Sequence, residues 1–269
     1  MSSRPFVLNG GLHTGMPSIK IVVAAHKPCW TPSDSMYVPV MVGAAGKPSI
    51  EGFVRDDTGE NISDKNPRYS ELTALYWARH NIQADYTGLV HYRRYFAGSG
   101  ENHIATCADM ERLIAKAPIV VPHKRRYYIE TIESHYGHTF DASQFDLVKA
   151  ALKELHPNDL PLFEKHLRMR SAHIFNMLVM RTDLFCAYCD WLFPVVDHID
   201  AHLDYSGLTP FLARAPGRLA ERLLDTWLDS VSEPFTECKV TYLDGVNWFK
   251  KGSAFLLAKF TGKKYTESF

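Results

Sequence analysis

The chain has 269 residues, 46% hydrophobic and 12% aromatic, enough to bury a substantial core and too apolar for a disordered segment. Thirty basic residues balance thirty acidic ones, which excludes the broad cationic field of a nucleic-acid binder, so no nucleic-acid partner is expected. Five scattered cysteines (Cys29, Cys107, Cys186, Cys189, Cys238) fit a reducing cytoplasm better than a disulfide framework. No run reaches the roughly 18 apolar residues of a membrane span.

Residues 1–18, with Asn9-Gly10-Gly11 and no apolar stretch, read as a flexible leader. Residues 19–25 are an apolar run, interrupted only by Lys20 and ending at His26, the pattern of a buried parallel strand. Asn66-Pro67 reads as an N-cap followed by proline, opening a helix that carries Leu72, Leu75, Tyr76 and Arg79 and closes at Asn81. Residues 86–90 form a short strand running into His91-Tyr92-Arg93-Arg94-Tyr95, and residues 117–121 another running into His123-Lys124-Arg125-Arg126. Phe145, Val148, Leu152 and Leu155 mark an amphipathic helix. Residues 174–180 read as a buried strand, with Thr182 capping a long helix to about residue 200. Leu219, Leu223, Trp227 and Leu228 mark a further helix, and residues 239–243 a last strand. Strands alternating with helices predict a single α/β domain with a mostly parallel sheet and helices on both faces. Ligands of such sheets bind beyond the carboxyl ends of the strands, where the cationic residues are expected to converge.

Two adjacent arginines at a strand end, Arg93 and Arg94, can grip a diphosphate with charge-assisted forks, and the flanking His91, Tyr92 and Tyr95 can stack on a base or sugar. His135 and His138 sit three apart and could share an ion, but no carboxylate-bearing metal signature accompanies them, so sugar-hydroxyl recognition is the preferred role. Glu221 is the chosen general base, with Asp56 and Asp57 as the runner-up pair in a loop above the sheet. His173 and Asn176 stand in an otherwise apolar strand and need partners, either protein backbone or an acceptor sugar.

The strings Ala25-His26-Lys27-Pro28, Asp56-Asp57-Thr58-Gly59-Glu60-Asn61-Ile62-Ser63, Asn66-Pro67-Arg68-Tyr69-Ser70-Glu71-Leu72 and His91-Tyr92-Arg93-Arg94-Tyr95-Phe96 resemble a bacterial capsular and exopolysaccharide synthesis family. Arg170-Ser171-Ala172-His173-Ile174-Phe175-Asn176-Met177, Glu221-Arg222-Leu223-Leu224-Asp225 and Val246-Asn247-Trp248-Phe249-Lys250-Lys251-Gly252 extend the match over residues 19–260. That family was long catalogued as a domain of unknown function and is associated with galactofuranosyltransferase activity. The resemblance implies a GT-A-like fold over residues 19–260, followed by a flexible tail at 261–269. It also implies a UDP-sugar donor, UDP-galactofuranose or another UDP-hexose, and a lipid-linked or polysaccharide acceptor for a capsule, exopolysaccharide or O-antigen. On this reading His26, Asp56, Glu71, His91, Tyr92, Arg93 and Arg94 line the donor site, and His135, Tyr136, His138, His173 and Asn176 the acceptor site. Glu221 or Asp57 takes the acceptor proton in an inverting displacement.

Many GT-A enzymes hold Mn²⁺ or Mg²⁺ on an Asp-x-Asp where this chain has His91-Tyr92-Arg93-Arg94, so no metal site and no required cofactor are expected. Other readings remain open: a non-catalytic carbohydrate-binding subunit of a polysaccharide assembly complex, or a metal-dependent hydrolase on His135 and His138. The expected location is the cytoplasm at the inner face of the membrane, beside other glycosyltransferases. The basic segment from Lys250-Lys251 to Lys263-Lys264 would make the peripheral membrane contact.

Overall fold

The computed structural model describes residues 15–243. The C-terminal basic segment and the string at 246–252 lie outside the described residues. Seven elements form the main path of a nine-stranded sheet: β1 (Ile19–Ala25), β2 (Tyr37–Met41), β3 (Val54–Arg55), β4 (Tyr86–His91), β6 (Ile119–Pro122), β9 (Leu178–Arg181) and β10 (Phe235–Cys238), in the order β10-β6-β9-β4-β1-β2-β3. Along this path every pairing is parallel except those of β9, which runs antiparallel to β4 and β6. Every path strand but β9 therefore ends at one rim, and β9 begins there. A side branch, β5 (Arg94–Phe96) and β11 (Val240–Tyr242), continues antiparallel from β4. A separate ribbon pairs β7 (Arg125–Arg126) with β8 (Ser171–Ala172).

The two-residue repeat of the strands separates two apolar layers. Val22, Ala24, Leu89, Ile119, Val121, Leu178 and Met180 pack with α2 (Leu72–Asn81), α5 (Gln144–Leu155), α7 (Thr182–His202), α8 (Ala215–Ala220) and α9 (Leu224–Val231). Ile21, Val23, Val90, Val120 and Val179 pack on the other face with Tyr37, Tyr95, Phe96 and α3 (Cys107–Ile114). The expected mostly parallel sheet with helices on both faces is what folds, one face being the more heavily covered.

Gly88 of β4 carries a close strand approach. A Cβ there would stand 2.6 Å from the Leu178 carbonyl oxygen and 2.6 Å from Val179 Cγ2. Gly88→Ala is expected to destabilise by roughly 1–3 kcal/mol through overpacking. Urea unfolding should then show a lower midpoint at unchanged slope, and an unshifted midpoint would refute the close-approach account.

Several elements depart from the sequence pattern. The expected helix over residues 66–81 is split into α1 (Asn66–Tyr69) and α2 by Ser70, whose φ of 54° is left-handed. Asn66 is helical rather than a cap, and its amide donates to the Ser70 carbonyl at 2.8 Å. Thr182 begins α7 without capping it; its hydroxyl donates to the Ala84 carbonyl at 2.7 Å. The expected strand over residues 174–180 is interrupted because Phe175 (φ 81°) and Asn176 (φ 53°) are both left-handed. The helix through Leu219–Leu228 breaks between α8 and α9, with Glu221 at the break. At the last strand, the chain makes β10 first and then β11.

Candidate active site

At the rim, β1 runs out into His26-Lys27, and β4 reverses through Tyr92-Arg93 into β5, with His91 paired to Arg94. The His26 ring meets Tyr92 edge-on at 5.4 Å between centroids. The Arg93 guanidinium lies 4.9 Å from the Tyr92 centroid and Lys27 Nζ 5.9 Å from it. Burial pushes the His26 pKa down, and Lys27, Arg93, Arg214 and Lys47 push it down further. An imidazole whose protonation four neighbouring cations oppose marks a positive surface at the strand ends, suited to a polyanion. Arg214 enters from the 3-10 turn Leu212–Arg214, its Nε donating to Ser70 Oγ at 2.9 Å. The break at Ser70 thus serves the rim.

Beside this surface the chain gathers Glu71, His91, Phe175 and Asn176. Asn176 Nδ2 donates to Glu71 Oε1 at 2.7 Å and to the Gly217 carbonyl at 3.3 Å. His91 Nε2 lies 2.5 Å from the Phe175 carbonyl oxygen and 3.9 Å from Glu71 Oε1. Asn176 is buried, and its Oδ1 has no protein hydrogen-bond donor. An acceptor left so costs about 1–3 kcal/mol unless a ligand or water donates to it. Arg94 leans the other way from Arg93, its guanidinium 4.5 Å from the Phe175 ring, with Tyr242 edge-on to that ring. Two consecutive left-handed non-glycine residues at this point are the kind of backbone strain that clusters at ligand sites.

The third group lies around Glu221, whose side chain is 22% exposed. Arg222 reaches it at 3.4 Å. Arg218 spans Phe140 and Phe211 and donates to the Phe211 and Leu212 carbonyls.

The remaining expected site residues are engaged by protein partners. Asp56 is wholly buried, its oxygens receiving Gly43 N (2.8 Å), Ala44 N (2.9 Å), Ser63 Oγ (2.5 Å) and Thr73 Oγ1 (2.7 Å). That carboxylate pins the β2–β3 loops and is closed to a donor. Asp57 forms a two-pronged pair with Arg55 at 2.9 and 2.7 Å, which lowers its pKa and opposes the role of base. Tyr136 is buried with its hydroxyl on Gln144 Oε1 at 2.7 Å. His135 and His138, on α4 (Ile132–Thr139), converge on Glu130 at 3.2 and 2.7 Å. Among the described residues no three His, Cys, Asp or Glu side chains are placed to share a metal. Burial pushes His135 down to about 4, with Arg125 adding to the effect.

His173 has no exposed surface. Its Nδ1 lies 2.7 Å from Asp225 Oδ1, its Nε2 3.0 Å from Glu237 Oε1, and its backbone N–H donates to Asp225 Oδ2 at 3.0 Å. Its partners are protein carboxylates, and no ring nitrogen is left for an acceptor sugar. Burial pushes the Asp225 carboxyl up, but the His173 hydrogen bond and the charges of His173 and Lys124 outweigh it and hold it at about 2, against an ordinary 3.8. A depressed carboxyl stabilises the fold above its unfolded pKa, and that contribution disappears as pH falls through the folded one. Denaturant unfolding of wild type should therefore lose about 2 kcal/mol more than Asp225→Asn between pH about 5 and about 2. Parallel pH profiles would refute the assignment.

Lys27, Lys47 and Arg214 complete the rim yet carried no separate signal in the sequence. Lys27 adjoins His26 in sequence, while Lys47 and Arg214 are isolated cations in turns that only the fold brings to act on His26.

The family profile described as "Domain of unknown function (DUF4422)" matches residues 20–232. The chain is also similar to the apo structure of the WbbM bifunctional glycosyltransferase, with 26% identity and a TM-score of 0.78. That match covers 85% of this chain and 46% of the other, so this chain spans less than half of the larger protein's length. No curated protein matches the chain.

Proposed function

The chain belongs to the DUF4422 family, and on that footing we propose that it is a glycosyltransferase of bacterial surface-polysaccharide synthesis. The single observation carrying this is the cationic rim at the strand ends, Lys27, Lys47, Arg93 and Arg214 around His26, beside the unsatisfied Asn176 Oδ1. Such a rim suits the diphosphate of a nucleotide sugar, and a sugar hydroxyl would supply the donor that Asn176 lacks. The similarity to a glycosyltransferase supports the same reading.

In the proposed reaction the acceptor hydroxyl oxygen attacks the anomeric carbon. The bond from that carbon to the β-phosphate oxygen breaks, and its electron pair leaves with UDP. Glu221 takes the hydroxyl proton. Arg93 and its neighbouring cations balance the charge that develops on the departing diphosphate. Tyr92 lies where a base or sugar face can stack. The donor set at the rim is cationic and does not fit a divalent ion, so no step is routed through one. Activity is expected to persist in EDTA; strong inhibition reversed by Mn²⁺ would overturn the cation clamp. The resemblance to galactofuranosyltransferases makes UDP-galactofuranose the first donor and inversion the expected outcome. Product NMR showing a retained anomeric configuration would refute inversion.

The test is a donor series by calorimetry, with UDP, UDP-galactofuranose, UDP-galactose, UDP-glucose and UDP-N-acetylglucosamine, with and without Mn²⁺. Metal-free UDP binding strengthened by one sugar supports the proposal and names the donor. Saccharide binding with no affinity for any nucleotide would replace the enzyme by a carbohydrate-binding subunit.

A further inference from the structure

Between β7 and α4 the chain makes a projecting turn whose feet are buried and whose tip is not. Tyr127 is 4% exposed and Glu130 3%, whereas Tyr128 is 77% and Ile129 59% exposed. The Ile129 N–H donates to the Tyr127 carbonyl at 2.8 Å, and Tyr128 between them has φ 57°. This is a tight three-residue turn in the left-handed region, which a bulky residue enters at a cost. His135 and His138 hold Glu130 from below, and the Tyr127 N–H donates to the Arg170 carbonyl at 2.8 Å. The tip is therefore fixed outward.

A lone exposed apolar side chain needs no explanation, but two adjacent ones on a rigid, strained projection do. The strand leading into the turn is Arg125-Arg126, both exposed, and no ion pair among the described residues engages either guanidinium. Lys124 differs: its Nζ turns inward to Asp225 Oδ1 at 3.1 Å. On a chain of zero formal net charge this is a local concentration of cations beside apolar surface.

We propose that this turn docks on an anionic lipid surface. Tyr128 and Ile129 enter the boundary between headgroups and acyl chains, while Arg125 and Arg126 meet lipid phosphates. A saccharide would stack on Tyr128 but would leave Ile129 without an apolar partner and, if neutral, two arginines without counter-charge. The proposal rests on the turn alone and stands whether or not the chain transfers sugar.

The experiment is flotation of the full chain with vesicles of phosphatidylcholine, with and without phosphatidylglycerol. Wild type should float with the anionic vesicles only. Arg125→Gln with Arg126→Gln should lower partitioning about 30-fold, two cations each contributing roughly 1 kcal/mol. Tyr128→Gly with Ile129→Ser should lower it at least about tenfold, from the apolar area withdrawn. Glycine suits the left-handed φ, so a thermal midpoint at or above wild type would show that this loss is not misfolding. Ile129→Ser alone provides a variant with an undisturbed turn. Wild-type failure to bind anionic vesicles would overturn the proposal. So would full retention in both double variants, which would pass the contact to the C-terminal segment. Loss of soluble oligosaccharide binding with flotation intact would reassign the turn to the acceptor.

Discussion

Arg93→Ala is expected to lower kcat by about 10²–10³-fold, the cost of deleting one preorganised charge from a transition state that expels an anion. The effect should fall on kcat because the diphosphate gains charge only as the glycosidic bond breaks. Donor KM should rise less, since Lys27, Lys47 and Arg214 still surround His26. Arg93→Lys should recover part of the rate: an ammonium restores charge but not the planar fork that grips two phosphate oxygens. Because the Arg93 guanidinium lies 4.9 Å from the Tyr92 ring, truncation also removes that contact, and Tyr92→Leu separates the two contributions. If Arg93→Ala alters KM alone and leaves kcat intact, Arg93 binds the donor uniformly and the leaving-group role belongs to other cations. If neither constant moves, the rim is not the donor site. Steady-state kinetics at fixed acceptor decides among these.

The strands were legible because their signal is local. The largely apolar runs of β1 and β6 required burial, and the cationic ends of β1 and β4 marked the rim, whereas the cations after β6 go elsewhere, Lys124 turning in to Asp225. The rule that ligands sit beyond parallel strand ends then drew attention to His26 and Arg93, which the fold brings together. Breaks were not legible. Ser70 and Phe175 adopt left-handed conformations that no propensity favours for them, Asn176 follows in one that asparagine enters more readily, and each break is held by contacts distant in sequence. For the same reason Asp56 and His173 read as candidates for chemistry and proved to be fastened inside. A polar residue in an apolar stretch demands a partner, but the sequence does not say whether the partner is a ligand or, as for His173, carboxylates 52 and 64 residues away. His135 and His138 show the same limit. Their spacing put them on one helix face, and it gave no sign that Glu130 lies between them.

Glu221→Gln is expected to reduce kcat by about 10²–10⁴-fold while donor affinity stays within about twofold, because glutamine keeps the side chain's size and hydrogen bonding but cannot take a proton. The break between α8 and α9 places Glu221 at a helix end, partly open to solvent, where an acceptor hydroxyl can reach it. Asp56 and Asp57, the other carboxylates considered, are fastened by four hydrogen bonds and by Arg55 respectively. Arg222 and Arg218 beside Glu221 are expected to be its positioning residues: Arg222→Gln should lower kcat less than Glu221→Gln and leave the shape of the pH profile unchanged. The decisive readout is that profile. Any acid limb of the wild-type kcat profile should be absent in Glu221→Gln, where no carboxylate remains to take the acceptor proton. A variant with wild-type kcat would remove Glu221 from the mechanism, and Glu71, within the Asn176 and His91 network, would become the carboxylate to test. A low rate that keeps the wild-type acid limb would mean that the substitution disturbed acceptor placement while another group carries the proton.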